Sequence, residues 1–429
     1  MSQGIEEFTR GAEHVEDGAH LAARLARGDR LRIKWGVDPT APDIHLGHTI
    51  PMRALRRWQD AGHTPVIIIG DWTARIGDPT GRSVTRPPLS VPEVDANAET
   101  YLAQLFVILD KARTEVRFQS EWFEPMGLAD VIKLTASRTV QQLLQRADFS
   151  ERMTAERPIS LHELLYPLLQ GYDSVAVDAD IEIGGTDQLF NLLAARDVQR
   201  YYGRTEAQDV VTFPLLEGLD GERKMSKSYD NYIGVAESPT EQYGKAMSIP
   251  DSLIVRYMTL VSDMPLEEVE RYRELLASDG INPRDAKAAL ASAIVRQFHG
   301  DDVAEAAADE FRRVTRGGGL PDDVPSVGLG AGTSPYEAVD LIDDVLKRVG
   351  QSRSRSEIRR VIEQGGATLI DDAKDETWTI PSPGRAIWFR GDGWPALQVE
   401  ETPDGQVARA GSGVVLKFGK RIFVRLVAR

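Results

Sequence analysis

The chain has 429 residues, of which 41% are aliphatic, aromatic or Met and 37 are Gly; at about 150 residues per domain, this supports two to three domains with cores that need no staples. The absence of Cys excludes a disulfide framework, thiol chemistry, iron–sulfur clusters and thiolate zinc sites. The formal net charge of −15 excludes a wholly basic nucleic-acid binder, but residues 346–429 hold 15 Lys/Arg against 10 Asp/Glu, which is +5 on a body of −20. Such a basic C-terminal module suits either a local RNA or DNA contact or a solvated basic face. The opening MSQGIEEFTRGAEHV has no apolar h-region, and the longest aliphatic run is Val66–Ile69. Neither secretion nor a membrane span is expected, and the chain reads as soluble and cytoplasmic.

Residues 31–215 alternate strand-like and helix-like patterns. Strands are predicted at Leu31–Asp38, Thr64–Trp72, Glu115–Phe123, Asp180–Ile183 and Asp209–Phe213, with helices at Thr49–Ala61, Val94–Arg113, Leu161–Val177 and Thr186–Tyr202. This alternation predicts an α/β fold, a parallel sheet with helices on both faces and ligands at the carboxyl ends of the strands. Residues 240–316 show helical spacing only, which marks an α-helical domain. The Gly- and Pro-rich stretch Gly317–Pro335 reads as a linker, followed by a short helix pair and then strands.

Two motifs carry chemistry. The first, Asp38-Pro-Thr-Ala-Pro-Asp-Ile-His45-Leu-Gly47-His48, joins the first strand to the first helix. Pro51 predicts a helix start between Gly47 and Ile50, which sets both imidazoles beside a helix N-terminus whose partial positive charge suits phosphate. Gly47 leaves room for a ligand against the backbone. His-x-x-His with no third ligand is a weak metal signal, and no metal is expected. No strand is followed by a P-loop or a G-x-G-x-x-G fingerprint, so a nucleotide must be held by another device. The second motif is Lys224-Met225-Ser226-Lys227-Ser228, read as an exposed mobile loop after Leu215–Gly221. Two lysines three apart suit a departing polyphosphate. This pentapeptide arises by chance in such a chain on the order of once in ten thousand.

His45-Leu-Gly-His48 and Lys224-Met-Ser-Lys-Ser228 resemble the two signature motifs of class I aminoacyl-tRNA synthetases, and nearly the whole chain resembles the tyrosyl-tRNA synthetase family. The resemblance implies a Rossmann-like catalytic domain with a connective insertion over 1–223 and a lysine loop with an α-helical tRNA-binding domain over 224–316. It further implies a linker over 317–335 and a small α+β RNA-binding domain of the S4 type over 336–429. His45, His48 and Thr40 would bind the phosphates of ATP, and Lys224, Lys227, Arg82 and Arg86 the leaving pyrophosphate. Gly36, Asp38, Gly47, Gly185, Asp187 and Met225 would complete the ATP site. ATP enters as a substrate with Mg2+, and no tightly bound cofactor is implied.

Tyr166, Gln170 and Asp173 stand at i, i+4 and i+7, so a helix shows a phenol, an amide and a carboxylate on one face. Ser160-Leu-His-Glu163 fits a capping box at its start, and Pro167 predicts a kink. By the resemblance, Asp173 accepts the substrate phenol O–H. Tyr166, Gln170 and Asp78 then meet the ammonium group, with Thr73 and Gln188 nearby. Lys34 stands where many tyrosyl enzymes carry a tyrosine that touches the substrate hydroxyl, and is read as a subgroup feature among the tyrosine-binding residues.

In the basic module, Arg355, Arg359 and Arg360 lie on a predicted short helix capped by serine and ended by glycines, and Lys417, Lys420 and Arg421 on a basic strand. They resemble the S4 domain, which holds structured RNA by its phosphates. Thr379–Ser412 is longer than that family usually has and suggests an extra hairpin. Together the motifs imply ATP-dependent attachment of L-tyrosine to tRNA(Tyr) by a cytoplasmic homodimer with no membrane contact. A tryptophanyl enzyme shares both class motifs but is disfavoured by the Tyr166/Gln170/Asp173 stripe. A non-catalytic RNA-binding protein or a specialised paralogue is the remaining alternative.

Overall fold

Six strands, β1 (His14–Glu16), β2 (Arg32–Val37), β3 (Thr64–Ile69), β4 (Glu115–Phe118), β5 (Ile181–Gly185) and β6 (Asp209–Phe213), form a sheet in the order β1-β6-β5-β2-β3-β4. They belong to a computed structural model that describes residues 5–39, 44–75, 91–316, 320, 324–330, 335–371, 376–391, 397–402, 405–411, 413–419 and 422–428. The chain divides into two units, Met1–Ala304 and Glu305–Arg429. In β3 the run Val66–Ile69 is fully buried, as a parallel strand covered on both faces requires. β2 to β6 pair in parallel. The three-residue β1, too short to show a period in the sequence, adds an antiparallel edge on β6.

The chain passes from β2 through β3 to β4 toward one edge, then returns and runs from β5 to β6 toward the other. The order therefore reverses between β2 and β5, where open α/β sheets bind their ligands. These two strands pair at Ile33–Ile181 and Lys34–Glu182 only, and beyond that register the ladder stops.

The helix predicted from Thr49 begins earlier, over Leu46–Asp60, with Pro51 in its second turn. Its entry is fixed by a contact distant in sequence: Leu46 N–H donates to the Ile233 carbonyl at 2.9 Å, and Val235 N–H to the Ile44 carbonyl at 2.9 Å. The strand predicted over Glu115–Phe123 stops at Phe118 and turns into a short helix, Ser120–Phe123. Two carboxylates make that turn: Ser120 N–H donates to Asp71 Oδ1 at 3.0 Å, and Phe118 N–H to Glu121 Oε1 at 2.7 Å. The helix predicted over Val94–Arg113 spans Val91–Leu105, while Leu161–Ala176 falls within one residue of its prediction. The region after 239 is helical, over Pro239–Ala246, Ile254–Val261, Leu266–Ala277, Pro283–His299 and Asp301–Arg316. Ser238 and Asn282 cap two of these helices by accepting backbone N–H groups, each followed by a proline in the first turn.

In the second unit, the stretch read as a linker holds β7 (Ser326–Leu329). Its Val327 and Leu329 point inward and are buried, a two-residue period too brief to stand out among glycines. β8 (Tyr336–Glu337) leads into helices Ala338–Arg348 and Arg355–Glu363, followed by β9 (Ala367–Asp371), β10 (Glu376–Thr379), β11 (Ala386–Gly391), β12 (Leu397–Thr402), β13 (Gly405–Gly411), β14 (Val415–Phe418) and β15 (Ile422–Ala428). One sheet runs β10-β9-β14-β15-β7 and another β12-β13-β11-β8. The second contains the hairpin expected within Thr379–Ser412, formed by β12 and β13.

Candidate active site

The helix Leu161–Ala176 lays Tyr166 and Asp173 on its buried face beside the reversal point, with Gln170 half-buried between them. Asp173 is 1% exposed, and its two oxygens are each given a donor: Gln119 Nε2 to Oδ2 at 2.7 Å and Trp122 Nε1 to Oδ1 at 3.1 Å. Gln119 cannot turn its amide over, because Thr73 N–H donates to its Oε1 at 2.9 Å. A carboxylate oxygen takes two hydrogen bonds, so each retains capacity for a further donor. Burial pushes the Asp173 carboxyl up to about 7, while Lys34, Gln119 and Trp122 pull it back toward the ionised form.

Tyr166 O–H donates to Asp38 Oδ2 at 2.9 Å, and Thr73 Oγ1 to Asp38 Oδ1 at 2.7 Å. Thr73, Asp38 and Tyr166 therefore line one wall at the carboxyl end of β2. Lys34 is fully buried at the floor, with Nζ 2.8 Å from the Gln170 carbonyl, 2.8 Å from Ser174 Oγ and 2.9 Å from Glu182 Oε1. Its three N–H groups are all used by the protein, so Lys34 comes to the pocket without a donor left for a substrate. Gln170 Nε2 donates to Glu182 Oε1 at 3.2 Å, which leaves its buried Oε1 as an acceptor with no partner among the described residues. An orphan acceptor of this kind suits an ammonium ligand.

Gly36 interrupts the central strand β2 as an exposed residue, and a Cβ there would meet nothing within 4 Å. It opens a flat stretch of backbone in the middle of the sheet. At the start of helix Leu46–Asp60, the rings of His45 and His48 lie 3.9 Å apart, and His45 N–H donates to His48 Nδ1 at 3.3 Å. A Cβ on Gly47 would come within 3.1 Å of the His45 ring. Burial, and then the charges of His48 and Lys227, push His45 down to about 3; burial and Lys227 push His48 down to about 4. Both are neutral at pH 7, and the buried Nδ1 of His45 has no partner among the described residues. Two neutral imidazoles at a helix N-terminus can donate to phosphate oxygens without adding a proton to the reaction.

The lysine loop is brought to the same place by the backbone bonds of Ile44–Leu46 with Ile233–Val235. It is tied down more than its sequence suggests: Met225 is buried, its N–H donating to the Leu216 carbonyl at 2.7 Å. Buried Asn231 accepts from Ser226 N–H at 2.8 Å and donates to the Lys224 carbonyl at 3.2 Å and to Asp220 Oδ2 at 3.0 Å. Lys224 is exposed, while Lys227 is half-buried with Nζ 5.9 Å from the Tyr232 ring. Gly185 closes β5, followed by exposed Asp187, and Gln188 accepts from Asn191 Nδ2 at 3.0 Å. Thr40, Asp78, Arg82 and Arg86 lie outside the described residues.

In the second unit, Arg355 pairs with Asp340 at 2.5 Å, so its charge is partly spent within the fold. Arg359 and Arg360 are exposed on the same helix, with no acidic partner among the described residues. Lys417 stands 5.4 Å over the Phe423 ring; Lys420 and Arg421 lie outside the described residues.

Sequence reasoning missed Gln119, Trp122, Ser174 and Glu182 in the pocket and Asn231 behind the lysine loop. Only Glu182 left a signal, as an acidic residue inside an apolar strand. Substituting Asn231→Ala removes the side chain that fixes the backbone on both sides of Met225. Amino-acid-dependent ATP–pyrophosphate exchange should then lose roughly tenfold or more in kcat, with the KM for the amino acid nearly unchanged. Steady-state exchange kinetics check this, and an equal loss in both parameters would count against a role confined to the loop.

Residues 26–315 match the family described as tRNA synthetases class I (W and Y). The chain is 46% identical over 388 residues to the tyrosine–tRNA ligase of Photobacterium profundum, covering 90% of this chain and 96% of that protein. It is 48% identical over 368 residues to that of Thermotoga maritima, covering 86% of this chain and 90% of that protein. Among solved structures, a C-terminally truncated mitochondrial tyrosyl-tRNA synthetase of Coccidioides posadasii has the same fold, with TM-score 0.60 and 24% identity over 72% of this chain and 91% of that one. The reversal-point pocket, the paired histidines and the lysine loop are thus found in a chain that belongs to the class I tRNA synthetases and, within them, to the tyrosine–tRNA ligase family.

Proposed function

We propose that this chain attaches L-tyrosine to tRNA(Tyr) in two steps. The tyrosine carboxylate attacks the α-phosphorus of ATP, which enters with Mg2+ as the substrate complex, and pyrophosphate leaves. A ribose hydroxyl of the terminal tRNA adenosine then takes the tyrosyl group and AMP is released. The observation that carries the specificity is the Asp173 carboxylate, buried and held by Gln119 and Trp122 with one lone pair on each oxygen to spare. A phenol O–H fills that site; phenylalanine would leave a buried carboxylate short of a donor, which is costly. The orphan Oε1 of Gln170 takes the substrate ammonium, and Tyr166 and Asp78 are its further partners.

No protein nucleophile is needed. Catalysis consists of positioning and of stabilising charge that builds on the phosphates. His45 and His48 donate to phosphate oxygens as neutral imidazoles, and Thr40 shares this role. Lys224, Lys227, Arg82 and Arg86 receive the pyrophosphate. Gly36, Asp38, Gly47, Gly185, Asp187 and Met225 shape the ATP site, with adenosine against the open backbone at Gly36, while Gln188 borders the amino acid. The catalytic domain of this reading covers 1–223, the helical tRNA-binding domain 224–316 and the S4-like domain 336–429, and the chain works in the cytoplasm.

Exchange of pyrophosphate into ATP without tRNA, with tyrosine, phenylalanine and tryptophan compared, tests the first step. Exchange far faster with tyrosine than with phenylalanine or tryptophan is the expected result. Faster exchange with tryptophan would overturn the specificity, and none with any amino acid would overturn the reaction. In the second unit, Arg359 and Arg360 hold tRNA phosphates. Replacing both by Glu should raise the KM for tRNA in charging by roughly tenfold, and an unchanged KM would remove them from the interface.

A homodimer is the assembly that fits. Leu128, Ile132, Val140 and Leu161 are 77%, 61%, 56% and 75% exposed. The helices Leu128–Thr135 and Val140–Leu143 that carry the first three both pack on Leu161–Ala176. Large apolar side chains exposed together on adjacent helices mark an interaction face. Sedimentation should give a dimer for the natural chain and a monomer for Leu128→Asp/Ile132→Asp; a dimer in both would place the interface elsewhere.

A further inference from the structure

We infer that Lys34 and Glu182 form a buried specificity device that recognises tyrosine without touching it, by fixing the turn of helix that presents Asp173. The inference rests on the tyrosine reading above. Both residues come from strands, stand opposite each other in the last paired register of β2 and β5, and are 0% and 1% exposed. Lys34 Nζ holds the Gln170 carbonyl and the Ser174 hydroxyl, at 2.8 Å each, on the two sides of Asp173. Ser174 Oγ in turn donates to Glu182 Oε2 at 3.1 Å, and Gln208 Nε2 donates to the same oxygen. Gln170 Nε2 reaches Glu182 Oε1 at 3.2 Å. The helix turn 170–174 is thus clamped to the sheet at three points, all on one ion pair.

A buried ion pair adds little net stability over a well-packed apolar pair, but it specifies geometry where its remaining bonds are satisfied. Here the satisfied bonds are those that flank Asp173. A clamp on this turn sets the distance from the Asp173 oxygens to the phenol; the ammonium, which Gln170 meets from the same turn, has Tyr166 and Asp78 as further partners. Lys34 is accordingly a positioning residue, with its ammonium fully engaged, rather than a partner of the phenol.

Lys34→Met alone strands a buried carboxylate and threatens the fold, so the informative variant is Lys34→Met/Glu182→Gln, which removes both charges at nearly constant volume. Pyrophosphate exchange is measured with tyrosine and with phenylalanine for the natural chain, the double variant and Lys34→Arg. In the double variant, kcat/KM for tyrosine should fall roughly tenfold or more, chiefly through KM, while that for phenylalanine moves by less than about threefold. Lys34→Arg should recover part of the tyrosine-to-phenylalanine ratio. A ratio within about twofold of the natural one in the double variant would overturn the inference, as would equal losses with both amino acids. A crystal structure of the natural chain with tyrosine decides the point without any variant: Nζ should remain on Gln170, Ser174 and Glu182, and an Nζ bonded to the phenol oxygen would overturn it. Failure of the natural chain to exchange with tyrosine would instead remove the functional reading itself.

Discussion

A carboxylate taken out of water either finds donors or takes up a proton, and the pocket is organised around that constraint at Asp173. Two side chains from the turn after β4, Gln119 and Trp122, meet its oxygens, and Thr73 fixes which end of the Gln119 amide faces it. The turn itself exists because Asp71 and Glu121 end β4 after four residues. Behind the helix, Lys34 and Glu182 clamp the flanking residues. The sheet supplies the opening: the order reverses between β2 and β5, and their ladder ends at the very register that holds this ion pair. Asp173 thus keeps one lone pair on each oxygen for a further donor.

The reacting end is built by a different route. Two motifs about 180 residues apart meet because Ile44–Leu46 pairs with Ile233–Val235, which sets the paired histidines beside the lysine loop. Burial, helped by the charge of Lys227, holds both imidazoles neutral, so the cationic groups at this end are those of the loop. Neither motif offers an activated nucleophile, which agrees with a reaction in which the substrate carboxylate supplies its own. What the protein contributes is a set of donors already in position, with Asn231 holding the loop backbone.

The architecture was legible where patterns are long. Val66–Ile69 announces a strand covered on both faces, and residues 240–316 announce helices, because burial and helical period act on many residues at once. The motif His45–His48 and the pentapeptide at Lys224 were legible because few other contexts favour such residues. The supports of the site were not. Gln119 and Trp122 fall in what reads as one continuous strand, and nothing local reveals that Asp71, 49 residues away, turns the chain there. The tether of the lysine loop by Asn231 was hidden in the same way, and β7 was masked by the glycines around it. Lys34 and Glu182 could have been paired: each is a charge in an otherwise apolar strand, and burial of one demands the other.

The most direct measurement is the affinity for tyrosine by calorimetry from pH 5.5 to 8.5, for the natural chain and for Asp173→Asn. Burial raises Asp173 to about 7, and its ionised form is the stronger acceptor for the phenol O–H. Affinity for the natural chain should therefore rise with pH up to about 7 and level off above it, losing up to about tenfold per unit below. In Asp173→Asn it should be weak and flat over the same range. Affinity in the natural chain that is flat across pH 7, or that strengthens as the pH falls, would contradict the ionised Asp173 as the group that recognises tyrosine.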